Sequence, residues 1–348
     1  MSSTKPQPIV AGQPNTVRRL AGLLKRHLQV LGYVLKVLLP VIVKTRRRPV
    51  LFSRYSGMGD IICTIPATRA LLQRHPGHAA IYNCHASFAE VPRLAGLASI
   101  VTSLEPIGLV GYWYAPLLAG YYHFTHGDDL PDSGCHEPMV TEFCKQFNLP
   151  AVEEHPELTA TESVHLKVRQ VLAAHGLSAD SLILIHPGPS WPVREWPREN
   201  WQQLIAELRQ CGHTNIAQLG VNRHLNFGRV DITSIPGTQS LINQFSIEEC
   251  IAVIAEARLF VGIDSGLLHI AACTRTPSVG LFGMTLPEYR FSEAFRRDFV
   301  VNRVDCCGCE HRKPRLHWVT GCPNEIKCMK TLPVEAVLRA CLLKLSGP

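Results

Sequence analysis

No aspartate or glutamate occurs in the first 49 residues, where ten of the chain's 35 lysines and arginines lie. The remaining 25 basic residues face 28 acidic ones, so the body is slightly acidic, which argues against a nucleic-acid-binding body. Charge is scarce at 18% while 46% of residues are hydrophobic, which excludes a disordered or fibrous protein. Aromatics are sparse at 7%, and neither an internal repeat nor a low-complexity segment is found beyond the N-terminal arm. A length of 348 residues is enough for two domains, each with its own core.

The basic arm carries one apolar stretch, Leu28 to Val43, broken by Gln29, Gly32, Lys36 and Pro40. As a helix it covers about 24 Å, short of a hydrocarbon core of about 30 Å, and Lys36 sits near its middle. No small-residue cleavage site follows it, and the flank is Lys44-Thr45-Arg46-Arg47-Arg48, so a signal peptide fits poorly. The expected reading of residues 1–48 is an interfacial amphipathic helix drawn to an anionic membrane surface. A helix packed on the protein's own body is the alternative, with a true span behind both. Without a signal peptide, the chain is expected to be cytoplasmic and peripheral on the inner face of the inner membrane. Its 13 cysteines are then thiols or metal ligands rather than disulfides.

Beyond the arm, short apolar runs alternate with helical patterns. Strands are expected at 49–53, 79–83, 99–101, 181–185, 215–219, 258–263 and 278–282. Helices are expected at 61–75, 199–211, 246–257 and 266–273, with Ser246, Glu248 and Glu249 as cap and first-turn acids. Residues 111–134, rich in Tyr and Trp, read as loop. This alternation predicts parallel sheets clothed by helices, with a ligand crevice at the strands' carboxyl ends. The expected divisions are 49–165, 166–330 and a C-terminal helix in 331–348.

Three strand-to-helix loops carry the chemistry. In Val261-Gly262-Ile263-Asp264-Ser265-Gly266-Leu267-Leu268-His269, the helix start offers free N–H groups and a positive dipole end to a phosphate. Gly266 permits close approach and Ser265 adds a hydroxyl, whereas Asp264 suits sugar hydroxyls unless it merely caps the helix. In His186-Pro187-Gly188-Pro189-Ser190-Trp191-Pro192-Val193-Arg194, the guanidinium of Arg194 can grip a diphosphate, with Ser190 beside it. In Arg54-Tyr55-Ser56-Gly57-Met58-Gly59-Asp60, the third glycine and downstream acid of a dinucleotide fingerprint are missing, which disfavours a dehydrogenase. Asp60 remains as a carboxylate able to act as general base, or as a helix cap, with Arg54, Ser56 and Gly59 near it on the acceptor side.

These elements, with Leu281-Phe282-Gly283-Met284-Thr285, resemble glycosyltransferase family 9, the lipopolysaccharide heptosyltransferases, over roughly residues 49–340. The resemblance implies a GT-B fold: α/β, two Rossmann-like domains whose parallel sheets face a central cleft, here preceded by the basic arm. It implies an inverting transfer without a catalytic metal, from a nucleotide-sugar donor, ADP-heptose, to a lipid-linked glycan acceptor. Asp60 matches the family's base, Arg194 stands where a lysine is usual, and Asp264, Ser265 and Gly266 match the donor loop with His269 behind. After Gly220, where the family often has an acid, this chain has Val221-Asn222-Arg223-His224. Cys306, Cys309, Cys322 and Cys328 offer four thiolates for a structural Zn or Fe, although the second pair is widely spaced and free thiols are an alternative. A nucleotide-sugar epimerase and a non-catalytic membrane-docked scaffold are the rival functions.

Overall fold

The structure is a computed structural model that describes residues 16–55, 57–126, 137–225, 228–230, 232–312 and 321–346. Helix α1 (Thr16–Tyr33) runs through a π-helical turn, Val34–Leu38, into α2 (Leu39–Thr45). The 30 residues cover about 45 Å, longer than the apolar run alone foretells. By length and composition alone, Arg19–Thr45 is apolar enough to cross a membrane. One face of this helix is nevertheless committed to the body. Val30, Tyr33, Val34, Leu38 and Val41 are buried with Leu51, Ile81, Ile107, Val110 and Leu118 in one apolar cluster.

The first sheet follows: β1 (Val50–Ser53), α3 (Met58–Cys63), α4 (Ile65–Gln73), β2 (Ala80–Asn83), α5 (Glu90–Leu94), β3 (Ile100–Thr102), α6 (Gly108–Trp113) and β4 (Gly120–His123). The strands run parallel in the order β3-β2-β1-β4, with Leu51 level with Ile81 and Tyr121. All four residues of β1 are buried, as expected of a strand covered on both faces. Two expectations need correction here. The helix foreseen over 61–75 is two helices, because Thr64 closes α3 and Pro66 opens α4. The segment read as an aromatic loop contains α6 and β4; residues 127–134 of it lie outside the described residues.

Helices α7 (Met139–Lys145) and α8 (Glu162–Ala174) lead to the second unit. It comprises β5 (Ile183–His186), α9 (Arg198–Gln210), β6 (Ile216–Gln218), the hairpin β7 (Arg223–Leu225) and β8 (Gly228–Val230), β9 (Gln239–Ser240), α10 (Ile247–Ala255), β10 (Leu259–Ile263), α11 (Gly266–Cys273), β11 (Ser278–Phe282), α12 (Glu293–Arg296), β12 (Val300–Val301) and α13 (Cys309–Arg312). Two last helices, α14 (Lys327–Lys330) and α15 (Val334–Ser346), end the described chain. Six strands form a parallel sheet in the order β12-β11-β10-β5-β6-β9. α10 starts with the foreseen cap as a full capping box, Ser246 with Glu249. α8 spans the expected division at 165/166 and bonds to α10, His165 Nδ1 lying 2.8 Å from Glu256 Oε1.

The two sheets meet through α3 and α11. A Cβ on Gly59 would lie 2.4 Å from the ring of His269, and one on Gly266 would lie 2.5 Å from Met58 Cε. Only glycine permits helices from opposite units to cross this closely. A second tie is Glu90 of α5, whose carboxylate accepts from Ile247 N and Glu248 N, both at 3.2 Å, at the start of α10.

Candidate active site

A cleft of 940 Å³ opens between the sheets, walled by the loops that leave β1, β5 and β10. Asp60, Gly59, Ser190, Arg194, Asp264, Ser265, Gly266 and His269 all line it, so three loops far apart in sequence converge. Ser56 lies outside the described residues. Arg54 was expected on the acceptor wall but is buried beneath it. Its Nη2 donates to Asp60 Oδ2 at 2.7 Å, its Nη1 donates to Phe124 O at 3.2 Å, and its guanidinium lies over the Phe143 ring. Arg54 is thus a positioning residue for Asp60.

Asp60 does not cap α3. The cap residue is Gly57, no side chain among the described residues bonds the helix start, and the Asp60 carboxylate is a quarter exposed to the cleft with Arg54 behind it. Asp264 is no cap either. It accepts from Thr285 Oγ1 at 2.7 Å and faces Arg194 Nη1 at 3.6 Å. Burial would raise the Asp264 carboxyl, but Arg194 and Arg290, with His269 and the Thr285 hydroxyl, outweigh it and hold the group below its ordinary value. It is therefore an ionised acceptor, suited to hydroxyls and repellent to phosphate. The phosphate-type features lie beside it. Ser265 caps α11 without a side-chain bond, and its buried hydroxyl has no hydrogen-bond partner among the described residues. Ser190 offers its backbone N–H to Glu195 Oε1 at 2.9 Å, which fixes its loop.

His269 faces two ways. Its ring lines the cleft beside Gly59, while Nδ1 lies 2.7 Å from His155 Nε2 in the interior. Cys63 Sγ is 3.5 Å from both nitrogens. Burial pushes His269 down to about 4 and His155 well below the usual range, so both rings are neutral near pH 7. Cys63, His155 and His269 thus form a group whose ligand atoms lie within 4.8 Å of one another and could hold a metal ion. Among the described residues no other trio of such ligands is this close.

The cysteines picked from spacing are looser. Burial, then the neighbouring thiols Cys306, Cys309, Cys307 and Cys322, pushes Cys328 up to about 12; Cys309 is likewise raised to about 11 by burial and by Cys322 and Cys306. The four foreseen cysteines are therefore neighbours, joined by Cys307, whose thiol donates to Gly283 O at 3.2 Å. A Cβ on Gly283 would lie 2.8 Å from Cys328 Sγ, so this cluster sits under the loop that follows β11.

That same loop carries Arg290, which lies outside the motifs singled out in the sequence, and Thr285, which stands within one of them but without a role. Arg290 is 4% exposed, lines the cleft and supports the ionised form of Asp264. One signal was available: β11 is a parallel strand beside β10, so the loop at its carboxyl end had to reach the same crevice.

A sequence model of glycosyltransferase family 9 (heptosyltransferase) matches residues 129–316. Lipopolysaccharide heptosyltransferase 1 of Pseudomonas aeruginosa is 24% identical over 308 residues, covering 75% of this chain and 85% of that protein. Two solved structures share the fold. ADP-heptose LPS heptosyltransferase II of Escherichia coli superposes with a TM-score of 0.60 at 15% identity, covering 85% of this chain and 98% of that one. The dodecameric iron-containing heptosyltransferase TibC, in complex with ADP-D-β-D-heptose, gives 0.63 at 17% identity, covering 85% and 76%. TibC is an autotransporter heptosyltransferase of enterotoxigenic Escherichia coli. The paired parallel sheets are those of a GT-B glycosyltransferase.

Proposed function

From the premise that this chain belongs to glycosyltransferase family 9, we propose that it transfers heptose from ADP-heptose to a hydroxyl of a lipopolysaccharide-core acceptor with inversion. Membership makes it a glycosyltransferase and sets aside the scaffold and the epimerase. The observation that carries the reading is the confrontation across one cleft of a positioned carboxylate, Asp60, with an Arg194–Asp264 pair and an unbonded Ser265 hydroxyl.

Asp60 takes the proton of the acceptor hydroxyl while Arg54 holds the carboxylate aimed at it. The acceptor oxygen forms its bond to the anomeric carbon as the bond to the ADP oxygen breaks on the opposite face. The departing diphosphate gathers negative charge, which Arg194, Arg290, the Ser265 hydroxyl and the N–H groups opening α11 receive. Asp264, repelled by that charge, holds hydroxyls of the heptose.

Cys306, Cys309, Cys322 and Cys328 belong to this proposal as ligands of a structural Fe or Zn. Their donor type fits, since thiols give up their protons to a soft or borderline cation and bind it as thiolates. Such a metal would tie residues 306–309 to 322–328 beneath the loop that follows β11 and supply no step of the transfer.

Thermal shifts with ADP, UDP, GDP and CMP test the donor class, because a ligand of the folded state raises the midpoint. ADP should raise it most, and Arg194→Ala should weaken ADP binding about ten-fold or more, the scale of a charge-assisted hydrogen bond. Equal shifts with all four nucleotides, or an unchanged variant, would contradict the assignment.

A further inference from the structure

The N-terminal helix has three faces, of which the body uses one. Leu20, Leu24, Leu28, Leu31, Leu35 and Leu39 recur at spacings of four and three, the repeat of a single helical face, and all are exposed. Leu24 is 62% and Leu28 59% exposed, far beyond what scattered surface leucines require. One position further round lies Lys25, Gln29, Gly32 and Lys36. This second strip borders a groove of 850 Å³ between α1 and the segment leaving β3, with Thr102, Ser103 and Leu104 on its far wall. At its floor, Tyr33 and Thr102 share a hydrogen bond of 3.4 Å between their hydroxyls.

We propose that this ridge and groove form a binding site for anionic phospholipid, seating the protein on a bilayer leaflet. An acyl chain enters the groove along Leu24, Leu28 and Tyr33, and lipid phosphates lie at Lys25 and at Lys36, three helical turns apart. Charge selects this occupant: the groove carries two lysines and no acid, on an arm whose first 49 residues are wholly without acids. The packed face decides how the helix meets the leaflet. Val30, Val34, Leu38 and Val41 hold it flat on the body, so it lies on the membrane and does not cross it.

The groove also adjoins the cleft. Tyr55 lines the cleft, Ser103 lines the groove, and their hydroxyls are 3.5 Å apart. A glycan anchored by a lipid held here would present its hydroxyls toward Asp60. That purpose rests on the transferase reading, whereas lipid binding itself does not.

Flotation of the full chain with vesicles of phosphatidylcholine, alone or mixed with phosphatidylglycerol, tests the site. Binding should require phosphatidylglycerol, fall about thirty-fold in Lys25→Ser/Lys36→Ser, and vanish in Leu24→Glu/Leu28→Glu. All of these residues are away from the cleft, so the ADP-induced thermal shift should persist and certify the fold. Vesicle binding unchanged in either variant would overturn the proposal. So would resistance of the wild type to alkaline extraction, which would mean a span, or a dimer abolished by Leu24→Glu, which would mean that a second copy covers the ridge. Transfer to a water-soluble acceptor fragment, measured alongside, separates failure of this site from failure of the transferase reading.

Discussion

Arg54 does for Asp60 what solvent cannot: it holds a partly exposed carboxylate in one orientation from a buried position. Arg54→Met should therefore lower kcat at least ten-fold while leaving the apparent affinity for ADP within about two-fold, since the guanidinium touches the base and not the donor. An equal loss in both quantities would show a general collapse of the cleft. The neutral pair His155–His269 makes a second prediction at this scale. Both rings titrate below their unfolded value of 6.5, His269 near 4, so the unfolded chain binds more protons as pH falls. Stability should be full above about pH 7 and decline toward pH 4, at up to about 1.4 kcal/mol per pH unit for each histidine. Thermal midpoints between pH 7 and 5 check this; His155→Phe should flatten the decline, and an unchanged slope would contradict it. Asp60, Arg194, Asp264 and Ser265 were legible because each sits at a strand-to-helix junction that local pattern reveals. The roles of His155 and Arg290 were not, because tertiary packing sets His155 behind His269 and turns the Arg290 side chain toward the cleft.

Among the elements, α11 and β11 match their expected bounds, since a continuous apolar run ended by a turn signal leaves little ambiguity. β4 was missed for the opposite reason. It is an edge strand, half-exposed along Gly-Tyr-Tyr-His, and shows neither an apolar run nor alternation. β9 and β12 are two-residue edges, too short to leave a pattern. The crossing of α3 with α11 supplies the prediction that belongs here. Gly59→Ala places a methyl against the His269 ring and should cost about 1–3 kcal/mol, seen as a lower unfolding midpoint. It should also weaken ADP, because the displaced helix start carries Ser265. The proposed cysteine site predicts that chelation or Cys306→Ser/Cys322→Ser releases metal and lowers the midpoint. Metal analysis that finds the variant as loaded as the wild type would refute those ligands.

The whole molecule is two parallel sheets whose carboxyl ends face one another, and that arrangement, more than any single motif, makes the cleft. The alternation of strands and helices made it foreseeable. What sequence could not supply is how tightly the halves meet: glycines at the α3–α11 crossing and Glu90 seated on α10 are contacts between distant segments. In the proposed reaction Asp60 takes the acceptor's proton while the opposite unit binds the donor independently of it. The direct measurement is turnover of ADP-heptose on a heptose-deficient lipopolysaccharide acceptor by wild type and Asp60→Asn, with ADP affinity measured for both. Turnover should fall at least a hundred-fold in Asp60→Asn, the scale of general-base catalysis, with ADP affinity preserved. An Asp60→Asn enzyme that turns over near the wild-type rate would contradict it.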